Sequence, residues 1–111
     1  MRLGHKYKAK QTEVNGYKFA SKHEARYYQE LCLLKDAGEV IEIELQPRFE
    51  LIPDFYHNGK KVRGITYIAD FKVSYKDRVE IIDCKGFKTP VYKLKKKLFQ
   101  WKYPDKEIIE K

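Results

Sequence analysis

The sequence has little cysteine, no long apolar run and, in two stretches, no acidic residue. Only two of its 111 residues are cysteines, Cys32 and Cys84, and neither lies at a zinc-binding spacing from another ligand. We therefore expect two free thiols, with a disulfide as the less favoured alternative, and no zinc site. No apolar stretch approaches the roughly 18 residues of a membrane-spanning helix, and residues 1–10 contain no apolar block typical of a signal peptide. These absences predict a cytoplasmic protein with no membrane partner.

The sequence does contain excess positive charge and enough apolar residues for one core. It has 24 Lys and Arg against 16 Asp and Glu, a formal net charge of +8, while 42% of its residues are hydrophobic and 14% aromatic. This composition fits one folded domain and excludes a wholly disordered basic tail. The excess of positive charge predicts a polyanionic partner, nucleic acid before a membrane surface.

Residue periodicity predicts a basic, irregular N-terminal arm over residues 1–18 and a single domain over residues 19–111. Ser21 and Glu24 match a capping box at a helix start, and Thr89 followed by proline predicts a second helix start. The expected elements are a helix over 21–37, a long strand over 41–55 bent at Pro47, a polar loop over 57–61, strands over 65–75 and 79–85, a helix ended by Tyr103-Pro104, and a last strand over 106–110. This α-β-β-β-α-β order predicts one α/β (α+β) layered domain. The side chains of the second helix expected to face the core are Val91, Leu94, Leu98 and Trp101.

Three charged residues interrupt the apolar pattern of two predicted strands. Asp83 and Lys85 are two positions apart, so in a strand they project from the same face. If Lys76-Asp77 forms a two-residue hairpin loop, Asp70 lies directly opposite Asp83, whereas a three-residue loop would place it opposite Cys84. Two opposed carboxylates repel unless a cation lies between them, and Mg²⁺ prefers such ligands. The pattern therefore predicts a metal site at which the lysine positions water or stabilises a phosphate, against the alternative of ordinary solvated charges.

Basic residues flank this predicted site. Residues 84–104 contain seven lysines and no acid, so we expect the second helix to follow a phosphate backbone. Nothing in the sequence is typical of a zinc finger or a helix-turn-helix, so we expect recognition of nucleic-acid shape with little sequence preference. The candidate nucleic-acid-binding residues are Lys60, Lys61, Arg63, Lys88, Lys93, Lys96 and Lys97.

Asp70, followed after twelve intervening residues by Asp83-x-Lys85, resembles the PD-(D/E)xK motif of the restriction-endonuclease-like nucleases. The order of predicted elements matches the common core of that fold over most of the chain, and short motifs at 21–24, 45–47, 67–71 and 85–86 resemble those of small phage and prophage nuclease-like proteins. The resemblance implies a mixed central sheet flanked by helices. It also implies that Asp70 and Asp83 bind Mg²⁺, with Mn²⁺ as a substitute, and that Lys85 serves the nucleophilic water. Ala69 stands where the motif has proline.

The resemblance further implies a DNA endonuclease, encoded by a phage or prophage, that acts on recombination or repair intermediates without a small-molecule cofactor. By analogy we expect a homodimer when two strands are cut. Glu24 matches an acidic residue of the first helix that often joins such sites, yet its capping position alone would explain it. Gln46 is a further candidate at the level of the site, with a plain surface role as the alternative. The alternative function is a non-catalytic nucleic-acid-binding accessory protein or a subunit of a larger recombination or transposition complex.

Overall fold

The structure is a computed structural model that describes residues 11–111 and has an α+β fold. It divides into two units, Met1–Ile41 and Glu42–Lys111. Residues 1–10 of the predicted basic arm lie outside the described residues. In the part of the chain that the structure describes, no helix combines the length and the apolar character that a membrane crossing requires.

The described part of the first unit begins with a short hairpin. Strands β1 (Thr12–Val14) and β2 (Tyr17–Phe19) pair antiparallel, and the connecting Asn15-Gly16 turn has φ values of 52° and 84°. Asn and Gly tolerate such positive φ angles and favour tight hairpin turns. The irregular arm predicted over residues 1–18 therefore contains regular structure from residue 12 onward, where β-branched and aromatic side chains favour strands.

Helix α1 (Lys22–Asp36) confirms the predicted first helix. Ser21 caps it, because its hydroxyl oxygen accepts a hydrogen bond from the backbone N–H of Glu24 at 3.1 Å. Ala37 is the C-terminal cap, and Gly38 follows with a φ of 85°, a conformation that glycine adopts without strain. The side chains that α1 buries are Glu24, Ala25, Tyr28 and Leu31.

A long two-stranded ribbon begins the second unit. One side contains β3 (Glu42–Leu45), β4 (Arg48–Ile52) and β5 (Phe55–His57), and the other contains β6 (Lys60–Val62), β7 (Ile65–Ile68) and β8 (Phe71–Ser74). The two sides are antiparallel, with β5 on β6, β4 on β7 and β3 on β8. The predicted strands over 41–55 and 65–75 are therefore broken into shorter segments, and most of the predicted loop over 57–61 is strand. Only Asn58-Gly59 forms the turn, with φ values of 49° and 77°.

Both sides of the ribbon bend at the same level. Gln46 has a φ of 51°, and its N–H donates to the carbonyl of Asp70 at 2.9 Å. At the next position, the N–H of Ala69 donates to the carbonyl of Pro47 at 3.1 Å. Proline cannot donate in return, which interrupts the ladder of hydrogen bonds at this point. The predicted bend at Pro47 is confirmed, and the structure adds a matching break at Asp70 on the opposite side.

The remaining strands complete a mixed four-stranded sheet with the order β10-β9-β8-β3. Strand β9 (Val79–Asp83) is antiparallel to β8 and parallel to β10 (Ile108–Glu110), and helix α2 (Pro90–Lys102) makes the crossover. The N–H of Tyr75 donates to the carbonyl of Arg78 at 2.8 Å, which confirms the two-residue loop. The register is also as predicted, because it continues to Phe71 opposite Ile82.

Helix α2 packs through a different face from the one predicted. Tyr92 and Phe99 are buried, whereas Val91, Leu94 and Trp101 are 62%, 54% and 81% exposed. Aromatic rings bury more apolar area than Val or Leu, and the Tyr92 hydroxyl remains satisfied because it donates to Glu110 at 2.7 Å. The predicted stripe is thus wrong, except that Leu98 packs partly buried against the core. The buried core of this unit consists of Leu51, Tyr67, Ala69, Ile81, Tyr92, Phe99 and Ile108.

Candidate functional site

Asp83 is a buried carboxylate at the end of β9, with 2% of its side chain exposed. One of its oxygens, Oδ2, accepts a hydrogen bond from the Tyr67 hydroxyl at 2.5 Å. The other, Oδ1, lies 3.3 Å from the ammonium nitrogen of Lys85. A buried carboxylate is stable only when it is paired and hydrogen-bonded, and Asp83 has both kinds of partner. The side chains of Asp83 and Lys85 meet, as their spacing predicts.

Lys85 lies beyond the end of β9, yet its backbone continues the sheet. Its N–H donates to the carbonyl of Lys111 at 3.2 Å, and the N–H of Lys111 donates to the carbonyl of Asp83 at 3.0 Å. The ammonium nitrogen of Lys85 also lies 4.3 Å from the centre of the Tyr92 ring, a cation–π distance. With 28% of its side chain exposed, this ammonium is held by the protein while retaining access to solvent.

Asp70 lies at the bend between β7 and β8, one residue before the regular register begins. Its N–H donates to the carbonyl of Ile82 at 3.0 Å, and its carboxylate Oδ2 accepts from the N–H of Cys84 at 2.7 Å. The side chain is therefore fixed against the segment that links Asp83 to Lys85. The predicted direct opposition of the two aspartates becomes a neighbouring arrangement, because the bend interrupts the strand at Asp70 itself.

The pKa values of two tyrosine hydroxyls at the site, Tyr67 and Tyr92, are raised. Burial raises the pKa of the Tyr67 hydroxyl far above its ordinary value of 10.0, and the hydrogen bond to Asp83 raises it further. Burial likewise raises the pKa of Tyr92, followed by its hydrogen bond to Glu110. The negative charges of Asp70 and Asp83 contribute to the shift of each tyrosine. Both phenols are therefore protonated donors at neutral pH, and both aspartates lie close enough to act on them.

The donor set of Asp70 and Asp83 fits a hard divalent cation. Each carboxylate oxygen has two lone pairs, so the partners of Asp83 leave one lone pair on each of its oxygens. Within residues 11–111, no group of three or more His, Cys, Asp or Glu side chains could hold a metal ion together. Mg²⁺ does not need such a group, because it is usually bound by one or two carboxylates and keeps several waters.

Glu110 is a third acidic residue beside the site, and the sequence patterns did not indicate it. It faces Asp83 in the parallel register of β9 and β10. Its Oε1 lies 2.9 Å from the ammonium nitrogen of Lys88, and its Oε2 accepts from Tyr92 at 2.7 Å and from Lys96 at 3.2 Å. These donors, Lys88 first, lower the pKa of Glu110 from 4.5 to about 2. A parallel pairing of Ile81-Ile82 with Ile108-Ile109 would have indicated this neighbour in advance.

Four of the predicted nucleic-acid-binding lysines surround one shallow pocket of about 260 Å³. Two of them are already paired with Glu110, which reduces the charge available to a ligand. Among the described residues, Lys93, Lys95 and Lys97 form no ion pair of their own. The four lysines that line the pocket are Lys88, Lys93, Lys96 and Lys97.

The other predicted nucleic-acid contacts follow the turn of the ribbon. Lys60 and Lys61 belong to β6, and the ammonium nitrogen of Lys61 lies 3.6 Å from a carboxylate oxygen of Asp54. Arg63 is exposed just after this strand. A hydrogen bond from the N–H of Gly64, at 2.7 Å, lowers the pKa of Asp54. The exposed pair of Lys61 and Asp54 is worth little in stability.

The two remaining candidates are Glu24 and Gln46. Glu24 is a buried residue of α1, where its backbone N–H completes the helix cap in the first unit. Gln46 is adjacent to Asp70 through its backbone, while its exposed side chain makes no hydrogen bond with the described residues. The structure therefore assigns Gln46 a place at the bend rather than a contact with the carboxylates.

The second unit is an α+β unit with a mixed sheet and a crossover helix. A fold of this class does not by itself define an activity. The chain belongs to the family described as "Protein of unknown function (DUF1064)", whose pattern matches residues 4–110. No curated protein and no solved structure matches the chain.

Proposed function

We propose that the chain is a metal-dependent DNA endonuclease with a restriction-endonuclease-like core. The observation that carries the proposal is the meeting of Asp83 and Lys85 at 3.3 Å, beside the fixed carboxylate of Asp70. Burying an aspartate side chain is costly in free energy even when a lysine pairs with it, so such a cluster in a small protein calls for a functional reason. The basic pocket beside it supplies the charge that a phosphate backbone would need.

Asp70 and Asp83 would hold Mg²⁺, and Mn²⁺ would substitute for it. When bound, the ion would supply a Lewis acid for the phosphate and lower the pKa of a bound water. Tyr67 keeps Asp83 in one orientation through its hydroxyl. Lys85, held between Asp83 and the Tyr92 ring, would orient the attacking water or neutralise a non-bridging phosphate oxygen. Its partial exposure leaves room for this contact.

The substrate side of the proposal rests on charge and on the family resemblance. The pocket lysines and the cations of the β5–β6 hairpin would contact the DNA backbone, which fits recognition of shape with little dependence on sequence. Recombination or repair intermediates are the proposed substrates, in a phage or prophage setting within a bacterial cytoplasm. A homodimer would provide the two active sites needed to cut two strands.

A second candidate function is favoured by the pairing of Asp83 within the chain. Both of its oxygens already have partners, so the carboxylate needs no metal to be stable. A non-catalytic nucleic-acid-binding accessory protein, or a subunit of a larger recombination complex, would retain the fold and the lysines in this way. It would bind DNA in a salt-sensitive manner that Asp70→Asn leaves unchanged.

The test is cleavage of labelled duplex, flap and four-way-junction DNA in Mg²⁺, in Mn²⁺ and in a chelator. Asp83→Asn is expected to lower the rate by about 10²–10³-fold, the scale on which a single stabilising group acts. Asp77→Asn is the matched control, because this aspartate lies in the exposed turn at the other end of β9. Circular dichroism of each variant checks that the fold is retained. Equal rates for the wild type and Asp83→Asn would disprove the assignment, and metal-independent binding without cleavage would favour the accessory protein.

A further inference from the structure

The solvent side of α2 carries large apolar side chains where a soluble helix usually carries polar ones. Leu94 is 54% exposed and Trp101 is 81% exposed. They are seven residues apart, which places them on the same side of the helix about two turns from each other. This side is opposite to the one that buries Tyr92 and Phe99. The core therefore does not account for either side chain.

Positive charge borders these apolar side chains along one edge. Lys97 is three residues after Leu94 and four before Trp101, so its side chain neighbours both. Lys93 lies one turn before Lys97 on the adjoining part of the helix surface. Both lysines are exposed, and neither forms an ion pair with the residues that the structure describes. We call Lys93, Leu94, Lys97 and Trp101 the outer face of α2.

The positive charges of the outer face indicate which kind of partner could bind there. A second copy of the chain would meet it in a symmetric contact that brings the same lysines together, and like charges repel. Insertion into a membrane surface favours a helix side of strongly apolar character, whereas two of the four side chains of the outer face are lysines. Single-stranded nucleic acid combines flat apolar bases with phosphates at regular intervals. A surface that places an aromatic ring beside cations can contact both the bases and the phosphates of such a strand.

We propose that the outer face of α2 binds single-stranded nucleic acid. Trp101 stacks on an unpaired base, while Lys97 and Lys93, about one and two turns before it along the helix, contact successive phosphates of the strand. The inference rests on the proposed function in taking this strand to be part of the nuclease substrate. It narrows that substrate to DNA with an unpaired segment, such as a flap or a frayed junction, because stacking on Trp101 needs a base that is free of its complement.

Trp101 itself provides the measurement, because it is the only tryptophan in the chain. Its fluorescence is titrated with an oligothymidylate of about 16 nucleotides, near the upper site size of a single binding surface. A chelator is present throughout, so cleavage does not enter. We expect strong quenching that saturates with the oligonucleotide and little quenching by a blunt duplex of the same length. No change in fluorescence at saturating oligothymidylate would overturn the proposal, and so would an absence of binding.

Substitutions distinguish the contribution of the Trp101 ring from that of the Lys97 charge. Binding is measured by the fluorescence polarisation of a labelled oligothymidylate. Trp101→Ala is expected to weaken binding by about 5- to 150-fold, and Trp101→Phe is expected to restore part of it. Lys97→Gln is expected to lower the salt slope by about 0.7, the value for one phosphate contact on a single strand. Lys76→Gln, at the exposed turn before Arg78, is the matched control and should leave the slope unchanged. Equal affinity of Trp101→Ala and the wild type would overturn the proposal.

Two further arms distinguish the competing explanations. Vesicles of phosphatidylserine are titrated in the same way, and a blue shift of Trp101 with vesicles but not with oligothymidylate would assign the outer face to a membrane. Cleavage of a flap by wild type and Trp101→Ala is then compared in Mg²⁺. If quenching occurs without any cleavage, the binding surface stands while the nuclease proposal fails. If both proteins cleave flap and blunt duplex equally, the nuclease stands while the stacking proposal fails.

Discussion

Two carboxylates on neighbouring strands, those of Asp83 and Glu110, differ in burial and in their partners. Asp83, on β9, is almost entirely buried and has one cationic partner, Lys85, and one neutral donor, Tyr67. Glu110, its register partner on β10, is 20% exposed at its side chain and has two cationic partners and one tyrosine. The same pattern of a tyrosine and lysines thus occurs once in the interior and once at the surface.

This difference in burial indicates that the group around Asp83 is the candidate reactive centre and that the group around Glu110 holds the basic pocket in place. The Asp83 centre is fixed by the core, so its carboxylate can hold a ligand in a defined orientation without losing much side-chain entropy. The Glu110 centre gathers Lys88 and Lys96 at one point of the surface, where solvent screens the charges. We interpret the first as the place where chemistry would occur and the second as a device that orders the basic pocket beside it.

The largest contrast is expected between the two lysines that pair with these carboxylates. Lys85→Met should lower DNA cleavage by about 10²-fold or more, because the ammonium would act on the water or the phosphate during the reaction. Lys88→Met keeps a similar apolar side chain and should weaken only DNA binding, seen as a higher KM with kcat nearly unchanged. Steady-state cleavage kinetics of both variants measure this. Equal losses of kcat in the two variants would remove the distinction between the centres.

A smaller contrast is expected between the two tyrosines, measured as the free energy of unfolding in urea. Tyr67→Phe should cost about 1–3 kcal/mol, because it leaves an oxygen of the buried Asp83 without its donor. Tyr92→Phe should cost about 0.5–1 kcal/mol, since Glu110 keeps both lysines and remains accessible to water. Both variants keep the aromatic ring, so packing is matched. A larger loss for Tyr92→Phe than for Tyr67→Phe would contradict this ranking.

The smallest effect is the pH dependence that comes from Glu110. Its pKa is lowered from 4.5 to about 2 in the folded chain, so the unfolded chain binds a proton at a higher pH than the folded one. The stabilisation is therefore complete above about pH 5 and is lost as the pH falls toward 2. Unfolding in urea across this range should show a shallower pH dependence in Glu110→Gln than in the wild type. High salt should reduce the difference, because Lys88 is half exposed. Parallel pH curves for the two proteins would show that the pairing is not linked to folding.

The sequence predicted the helices and the hairpin register well because their signals are local. The cap at Ser21, the Pro90 start and the two-residue loop after Tyr75 each depend on a few adjacent residues. The long predicted strands were divided in the structure because strand breaks depend on pairing partners that are distant in sequence. The bend at Asp70 is one case, since it forms opposite Gln46, the residue before Pro47 on the other side of the ribbon.

The charged residues of the candidate site could be predicted from the sequence, whereas the residues that contact them could not. The spacing of Asp83 and Lys85 alone indicated that their side chains meet. The roles of Tyr67 and Glu110 depend on which strands pair, information that no local pattern contains. The buried side of α2 was mispredicted because this helix offers two apolar stripes, and only the chain as a whole determines that Phe99 is buried and Trp101 exposed.

The two-stranded ribbon also limits where related sequences can gain or lose residues. Side chains of a strand alternate between its faces, so a single residue inserted between Ile65 and Asp70 would send this carboxylate to the opposite face. The register already shifts between Glu50 and Ile52, opposite Thr66 and Ile65, and a Cβ added at the adjacent Gly64 would lie 1.9 Å from the carbonyl oxygen of Ile52. We therefore expect this irregularity to absorb insertions or deletions in the β5–β6 hairpin, so that the site itself is unaffected. Relatives of this protein should therefore vary in length at the tip and keep an invariant residue count from Ile65 to Lys85.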